Sequence, residues 1–174
     1  THQNTRYLKG FDLHPDLQFS TDLAQVVSDV DLVFVAIPSK AFRQVIQSAK
    51  AHFQPKQMLV SMTKGIEAGT FSLMSQIMRE EVPDARVGVL SGPNLAKEIA
   101  AKMPAGTVIA SLDPELRTLV HQILACPYFR VFANTDIYGV ELSGALKNIY
   151  AIATGMAQAQ KVGENTRSML LTRA

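Results

Sequence analysis

Asp31-Leu-Val-Phe-Val-Ala-Ile-Pro38 is an unbroken apolar run, rich in β-branched residues and closed by a proline. Such a run predicts a strand covered on both faces, the pattern of a parallel sheet, rather than the alternation of a half-solvated one. Downstream, Ala41 to Phe53 places Phe42, Val45, Ile46, Ala49 and Phe53 at helical spacing. Met58 to Met62 then reads as a strand, and Phe71 to Val82 as a helix with Leu73, Met74, Ile77 and Met78 on one side. The cycle repeats with a strand over Arg86–Leu90, a short helix from Asn94 to about Ala101, a strand over Gly106–Ala110 and a helix over Pro114–Ala125. Asp113 before Pro114 is a good cap and first-turn pair, with Glu115 favourable near the positive helix end. Phe129 to Ala133 makes one more strand. Strands alternating with helices predict a doubly wound α/β sheet, mostly parallel.

Composition narrows the class. The chain has 174 residues, the size of one domain or of one domain and a piece of a second. Lys+Arg 17 against Asp+Glu 15 gives a net charge of +2, with no basic cluster. A nucleic-acid groove or an acidic membrane patch needs more positive charge, more concentrated, so no nucleic-acid partner is expected. The run Leu32–Ile37 is far too short to span a bilayer, so no membrane insertion is expected. The polar first stretch has no apolar signal core. One cysteine, Cys126, excludes an internal disulfide framework and suits a reducing compartment, and a packed structural thiol is its default reading. A soluble, cytoplasmic globular chain is the expectation.

The two ends read differently from the middle. Thr1 to Gln18 is polar and loop-like, and nowhere in the chain is there a G-x-G-x-x-G turn. The alternating pattern begins as though that opening unit had already passed. From Asp136 to about Gln160 a long apolar stretch carries Ile137, Val140, Leu142, Leu146, Ile149, Ile152 and Met156 on more than one face, which predicts a mostly buried helix. Gly163 reads as a break, and Glu164 to Ala174 resumes helical spacing. The abrupt ends suggest a fragment that runs into a second, helical domain.

Four places fall where a strand is expected to end, the region where open α/β sheets bind ligands. They are Pro38-Ser39, Thr63-Lys64-Gly65, Ser91-Gly92-Pro93-Asn94 and Asn134-Thr135-Asp136, the last leading to Lys147-Asn148. Each of the first three has a plain reading as a turn or a helix start, with Lys64 in water and Gly65 at a positive φ. Lys147 is harder to dismiss, because Leu142, Ala145, Leu146, Ile149, Tyr150 and Ala151 surround it on the helix. Either it snorkels to an edge, the commoner case, or it sits in a dry cleft where desolvation favours the neutral amine a general base requires. Asn148 adds an amide that needs partners if buried. His2, His14, His52 and His121 lack ligand spacing, so no metal site is expected. Glu80-Glu81 reads as a solvated helix face.

Together, Val33-Phe-Val-Ala-Ile-Pro-Ser39, Thr63-Lys-Gly65, Ser91-Gly-Pro-Asn-Leu-Ala-Lys-Glu98 and Gly139-Val-Glu-Leu-Ser-Gly-Ala-Leu-Lys-Asn148 resemble the bacterial type of NAD(P)-dependent glycerol-3-phosphate dehydrogenase. The last two stretches are the specific ones, and Asn165 to Arg173 resembles the start of that family's helical substrate domain. The resemblance implies a Rossmann-like domain, incomplete at its start, over residues 1–135, and the start of the helical domain over 136–174. It implies interconversion of dihydroxyacetone phosphate and sn-glycerol 3-phosphate with NAD or NADP, in the cytoplasm, feeding phospholipid synthesis. It also implies residue roles: Lys147 as the general base, and Lys64 as a second catalytic lysine touching both substrate and cofactor. Gly92, Asn94, Lys147 and Asn148 correspond to substrate contacts. Pro38, Ser39, Phe42, Lys64 and Ala96 correspond to cofactor contacts, and a homodimer is an assembly it allows. Without the glycine-rich loop, the segment by itself is expected to bind cofactor poorly and turn over little. Two other readings stand beside this one: a different dehydrogenase of the β-hydroxyacid type, or a non-catalytic assembly module on a truncated dinucleotide fold, pairing through an exposed sheet edge.

Overall fold

The computed structural model describes residues 2–173. Thr1 and Ala174, the outer ends of the expected N-terminal loop and last helix, lie outside the described residues. Five strands form one sheet in the order β1 (Leu32–Val35), β2 (Met58–Ser61), β3 (Arg86–Ser91), β4 (Ala105–Ala110) and β5 (Phe129–Asn134). The helices are α1 (Leu23–Val27), α2 (Phe42–Ala49), α3 (Met74–Glu81), α4 (Ala96–Ala100), α5 (Pro114–Leu124), α6 (Ile137–Ala159) and α7 (Glu164–Arg173). Short 3-10 turns flank α2 at Ser39–Ala41 and Lys50–His52, so the expected helix over Ala41–Phe53 is a tighter, segmented element.

The sheet is mixed. β1, β2 and β3 run parallel, β4 runs antiparallel to β3, and β5 runs parallel to β4. The reversal follows from α4, too short to carry the chain back across the sheet as a crossover helix would. Consequently the carboxyl end of β5 points away from those of β1–β3. Asn134 nevertheless pairs with Ala110, and Ala110 with Val89, so the strand-end place expected at Asn134-Thr135-Asp136 comes level with β3 only two residues short of Ser91, and α6 starts there.

Alternation along the strands sorts residues onto two faces. On one, Val33, Val35, Leu59 and Val87 meet Phe42 and Ile46 of α2 and Met74, Ile77 and Met78 of α3. On the other, Val60, Leu90, Ile109 and Val131 meet Leu116 and Val120 of α5, with Cys126 packed at the margin. Gly88 lets α5 lie close, since a Cβ there would stand 2.8 Å from Leu116 Cδ2. Helix α5 starts as expected, with the Asp113 carboxylate accepting the amides of Glu115 and Leu116 and pairing with Arg86.

Two burial expectations are corrected. β1 is an edge strand: only Val35 is buried, and Leu32 and Phe34 on its second face are half-covered. Helix α6 is largely exposed, with Ile149, Ile152 and Met156 each more than 60% accessible and only Ile137 and Glu141 buried. Its first turns dock on β3 and β4, while its outer half faces α7. Helix α1, which lies between the polar opening Thr1–Gln18 and β1 and for which no element was expected, is capped by Asp22, whose carboxylate accepts the amides of Ala24 and Gln25. Among the described residues no helix is long and apolar enough to cross a membrane.

The segment between β2 and α3 is clamped by charge. Arg43 of α2 donates to Glu67 at 2.8 Å, and also pairs with Glu80 and Glu81 at 2.8 Å each, so the acidic pair is engaged rather than simply solvated. Arg43 and a bond from Thr70 hold the Glu67 carboxyl down at about 2, against an ordinary 4.5. A depressed carboxyl stabilises the fold above its unfolded pKa, and that contribution is lost as the pH falls through the folded one. The thermal midpoint should therefore fall between about pH 4.5 and about pH 2 by more in the native protein than in Glu67→Gln. Ile77→Ala, at a fully buried site, should lower unfolding free energy by about 2–5 kcal/mol, read from urea denaturation midpoints.

Candidate active site

The carboxyl ends of β1 and β2 are tied together by Thr63. Its buried hydroxyl donates to the Ile37 carbonyl at 2.8 Å and accepts the Ile37 amide at 3.2 Å. The turn that follows presses on the next loop: Gly65 has φ +155°, and a Cβ on it would stand 2.6 Å from Ser39 Cβ. Between these constrained neighbours Lys64 reaches across the sheet edge, and its Nζ donates to the Gly92 carbonyl at 2.8 Å.

Past β3 the chain is equally confined. A Cβ on Gly92 would stand 2.8 Å from the Gly106 carbonyl oxygen and 2.9 Å from Thr107 Cα, both backbone, so no side chain fits. Thr107 Oγ1 donates to the Ser91 carbonyl and accepts Asn94 Nδ2, each at 3.1 Å. Asn94 Oδ1 is left buried without a partner, an acceptor waiting for a donor.

Helix α6 closes the site. Asp136 caps it by accepting the Gly139 amide at 2.8 Å. Gly144 allows direct approach to β3, because a Cβ there would come within 2.4 Å of Ser91 Oγ. The result is a cavity of about 540 Å³ lined by Lys64, Ser91, Gly92, Asp136, Gly144 and Lys147 among others. A second cavity, about 470 Å³, takes in Pro38, Ser39, Thr63, Lys64 and Asn94. Lys64 borders both. Lys147 borders the first and also a larger space of about 760 Å³ between α6 and α7.

Of the residues singled out in the sequence, Lys64, Lys147, the Ser91-Gly92-Pro93 turn and the strand-end residues Asn134 and Asp136 thus meet in one cavity, and Pro38, Ser39, Lys64 and Asn94 in its neighbour. Asn148 is exposed and lines neither. Ala96 is the exposed first residue of α4. Phe42 has no exposed surface, being packed in the core beneath the β1 turn. Lys147 is itself exposed, the snorkelling alternative rather than the dry-cleft one. Thr107 and Glu141 carried no assignment in the sequence, whereas Thr63 stood in an expected strand-end turn and Gly144 in the stretch that resembles the family. Glu141 had a usable signal, an acid between Val140 and Leu142 one turn after Ile137, on the stripe that faces the sheet.

Partial burial, and then the like charge of Lys147, hold the Lys64 ammonium below the usual lysine range. The one carboxylate lining the same cavity, Asp136, is engaged as the α6 cap. Two cations facing a shared space favour an anionic ligand, which would relieve their repulsion.

Known proteins resemble this chain in sequence and in fold. Residues 1–117 match the family described as NAD-dependent glycerol-3-phosphate dehydrogenase N-terminus, and residues 136–174 the corresponding C-terminus. The glycerol-3-phosphate dehydrogenase [NAD(P)+] of Acinetobacter baylyi is 57% identical over the whole chain, which covers 48% of that protein. That of Ectopseudomonas mendocina is also 57% identical, over 99% of the chain and 50% of its own length. The crystal structure of glycerol-3-phosphate dehydrogenase from Coxiella burnetii superposes with a TM-score of 0.88 at 35% identity, covering 99% of this chain and 53% of that one. The chain therefore spans about half the length of the curated relatives it matches. With both family halves matched in order, across the sheet and across the helices that close the cleft, the chain belongs to the NAD-dependent glycerol-3-phosphate dehydrogenase family.

Proposed function

We propose that the protein carrying this segment interconverts dihydroxyacetone phosphate and sn-glycerol 3-phosphate, using NAD or NADP, in the cytoplasm. The observation that carries the reading is the pair of lysines, Lys64 on the Gly92 carbonyl and Lys147 on α6, bordering one cavity in a chain of this family. Residues 1–135 are read as the dinucleotide-binding part and 136–174 as the start of the substrate-binding helices.

The residues present fit part of a dinucleotide. Pro38, Ser39 and Asn94 border the second cavity, where the unpartnered Asn94 Oδ1 suits a carboxamide or hydroxyl donor. The sequence holds no glycine-rich turn for the pyrophosphate, so this segment alone would hold the cofactor weakly. When bound, the nicotinamide supplies or accepts the hydride.

The remaining chemistry falls to the chain. In the oxidative direction the neutral amine of Lys147 takes the proton of the substrate C2 hydroxyl and becomes the ammonium; in the reductive direction the ammonium returns that proton. Lys64, with its charge facing both cavities, stabilises negative charge developing on the same oxygen. Gly92, bare of a side chain, lets the substrate approach the backbone, with Asn94 beside it as a further substrate contact. Asn148 as a further substrate contact, and Ala96 and Phe42 as cofactor contacts, belong to the same reading, although none of the three lines either cavity.

Lys147→Ala in the full-length protein should lower kcat for dihydroxyacetone-phosphate-dependent NAD(P)H oxidation by about 10²–10⁴-fold with cofactor affinity unchanged. A wild-type kcat would remove Lys147 from the chemistry. The depressed Lys64 predicts a second effect with a definite sign. Deprotonation above its lowered pKa removes a positive charge, so KM for the anionic substrate should start to rise at a pH below the ordinary lysine value of 10.5. Lys64→Ala should abolish that rise.

A further inference from the structure

Helix α3 begins without a capping side chain of its own. Leu73 stands where Ser, Thr, Asp or Asn would accept the first helical amides, and Gln76 is occupied in accepting the Leu73 amide at 2.7 Å. The missing acceptor arrives from α6. Glu141, 2% exposed, takes the Ser75 amide through Oε1 at 3.0 Å and the Ser75 hydroxyl through Oε2 at 2.5 Å. The N-terminal end of α3 favours a negative charge, and Arg79 on the same helix adds to that field. Tyr138 and Gln76 add an exposed link between the same two helices, at 3.3 Å.

A buried carboxylate is a costly way to join two helices, and burial raises its pKa against the pull of the Ser75 bonds. An apolar side chain of similar volume would pack there without that penalty. What the carboxylate adds is direction. Two oxygens must meet two donors on one residue, which fixes both the rotation of α6 about its axis and its advance along it. Three residues later Gly144 rests against Ser91 with no side chain between, so the helix has little freedom to settle elsewhere. Lys147 follows six residues after Glu141, about 9 Å along the axis. A register error of one residue would swing it by about 100°, out of the cavity it shares with Lys64.

We propose that Glu141 is a positioning residue: seated on Ser75 at the start of α3, it sets the rotation and advance of α6 and so places Lys147 across the cavity from Lys64. The inference rests on the reading of Lys147 as the base.

The test uses the full-length protein, with Glu141→Ala, Glu141→Gln, Ser75→Ala and Lys147→Ala compared for folding, NAD(P)H affinity and the pH dependence of kcat. Glu141→Ala should lower kcat by about 10²-fold and Ser75→Ala by about tenfold, with NAD(P)H affinity unchanged. Both should displace the limb of the kcat–pH profile that Lys147→Ala abolishes, since the two lysines no longer face each other as they did. Glu141→Gln, which keeps an oxygen for the Ser75 amide, should restore most of the rate. A Glu141→Ala protein with kcat within about twofold of native and an unmoved profile overturns the proposal, whatever its melting temperature. Should Glu141→Ala fail to fold, the same unchanged values in Ser75→Ala overturn it. A fully active Lys147→Ala would instead sink the assignment of the base. An inactive Lys147→Ala beside a fully active Glu141→Ala sinks only the positioning role.

Discussion

Strand β3 contributes a residue to each of the three hydrophobic clusters: Val87 to the layer under α2 and α3, Leu90 to the layer under α5, and Val89 to the small cluster under the start of α6. Five of its six residues are buried. Because neighbouring positions on a strand point to opposite faces, one continuous apolar segment can anchor both layers at once. Its carboxyl end, Ser91-Gly92, emerges where all these layers meet. The site is thus attached to the most constrained element in the sheet.

Small residues turn that constraint into a cleft. Gly92 touches the backbone of β4, Gly144 touches Ser91, and Gly65 is pressed on Ser39, so three separate segments approach one another with no intervening side chains. The space left is bordered by long side chains that carry charge, Lys64 and Lys147. The depressed ammonium of Lys64 is the electrostatic consequence of that assembly, its burial and its like-charged neighbour both created by the folding of distant segments together.

The reversal at β4 shapes the outer half of the molecule. If β4 had continued parallel to β3, β5 would have delivered its end directly to the ligand edge. Running the other way, it ends opposite Val89 of β3, so α6 starts beside the site, with Asn134 and Asp136 on the cavity wall, and its first turns lie over β3 and β4. A helix so placed needs an index along its length, and the contacts at Glu141 and Gly144 supply one. Its outer half, with Ile149, Ile152 and Met156 exposed, shows the counterpart: apolar character in a sequence does not bury a helix unless another surface meets it.

Much of this was legible in the residues. The β-branched run at Asp31–Ile37, the helical spacings that alternate with later runs, and the Asp113-Pro114 helix start dictated an α/β sheet with nearly the right elements, because those signals are local: strand propensity, periodicity and capping act over a few residues. The lysine among apolar neighbours at Lys147 marked a candidate site by the same local argument. Other features were not local. The direction of β4, the edge position of β1, the exposure of α6 and the union of Ser75 with Glu141 each depend on which segments, far apart in the chain, come to lie side by side. A sequence carries the apolar pattern and the charges, but the partner of a buried group is chosen by packing. Only the tertiary structure could decide that Lys64 would lie on the Gly92 carbonyl and that Lys147 would share its cavity.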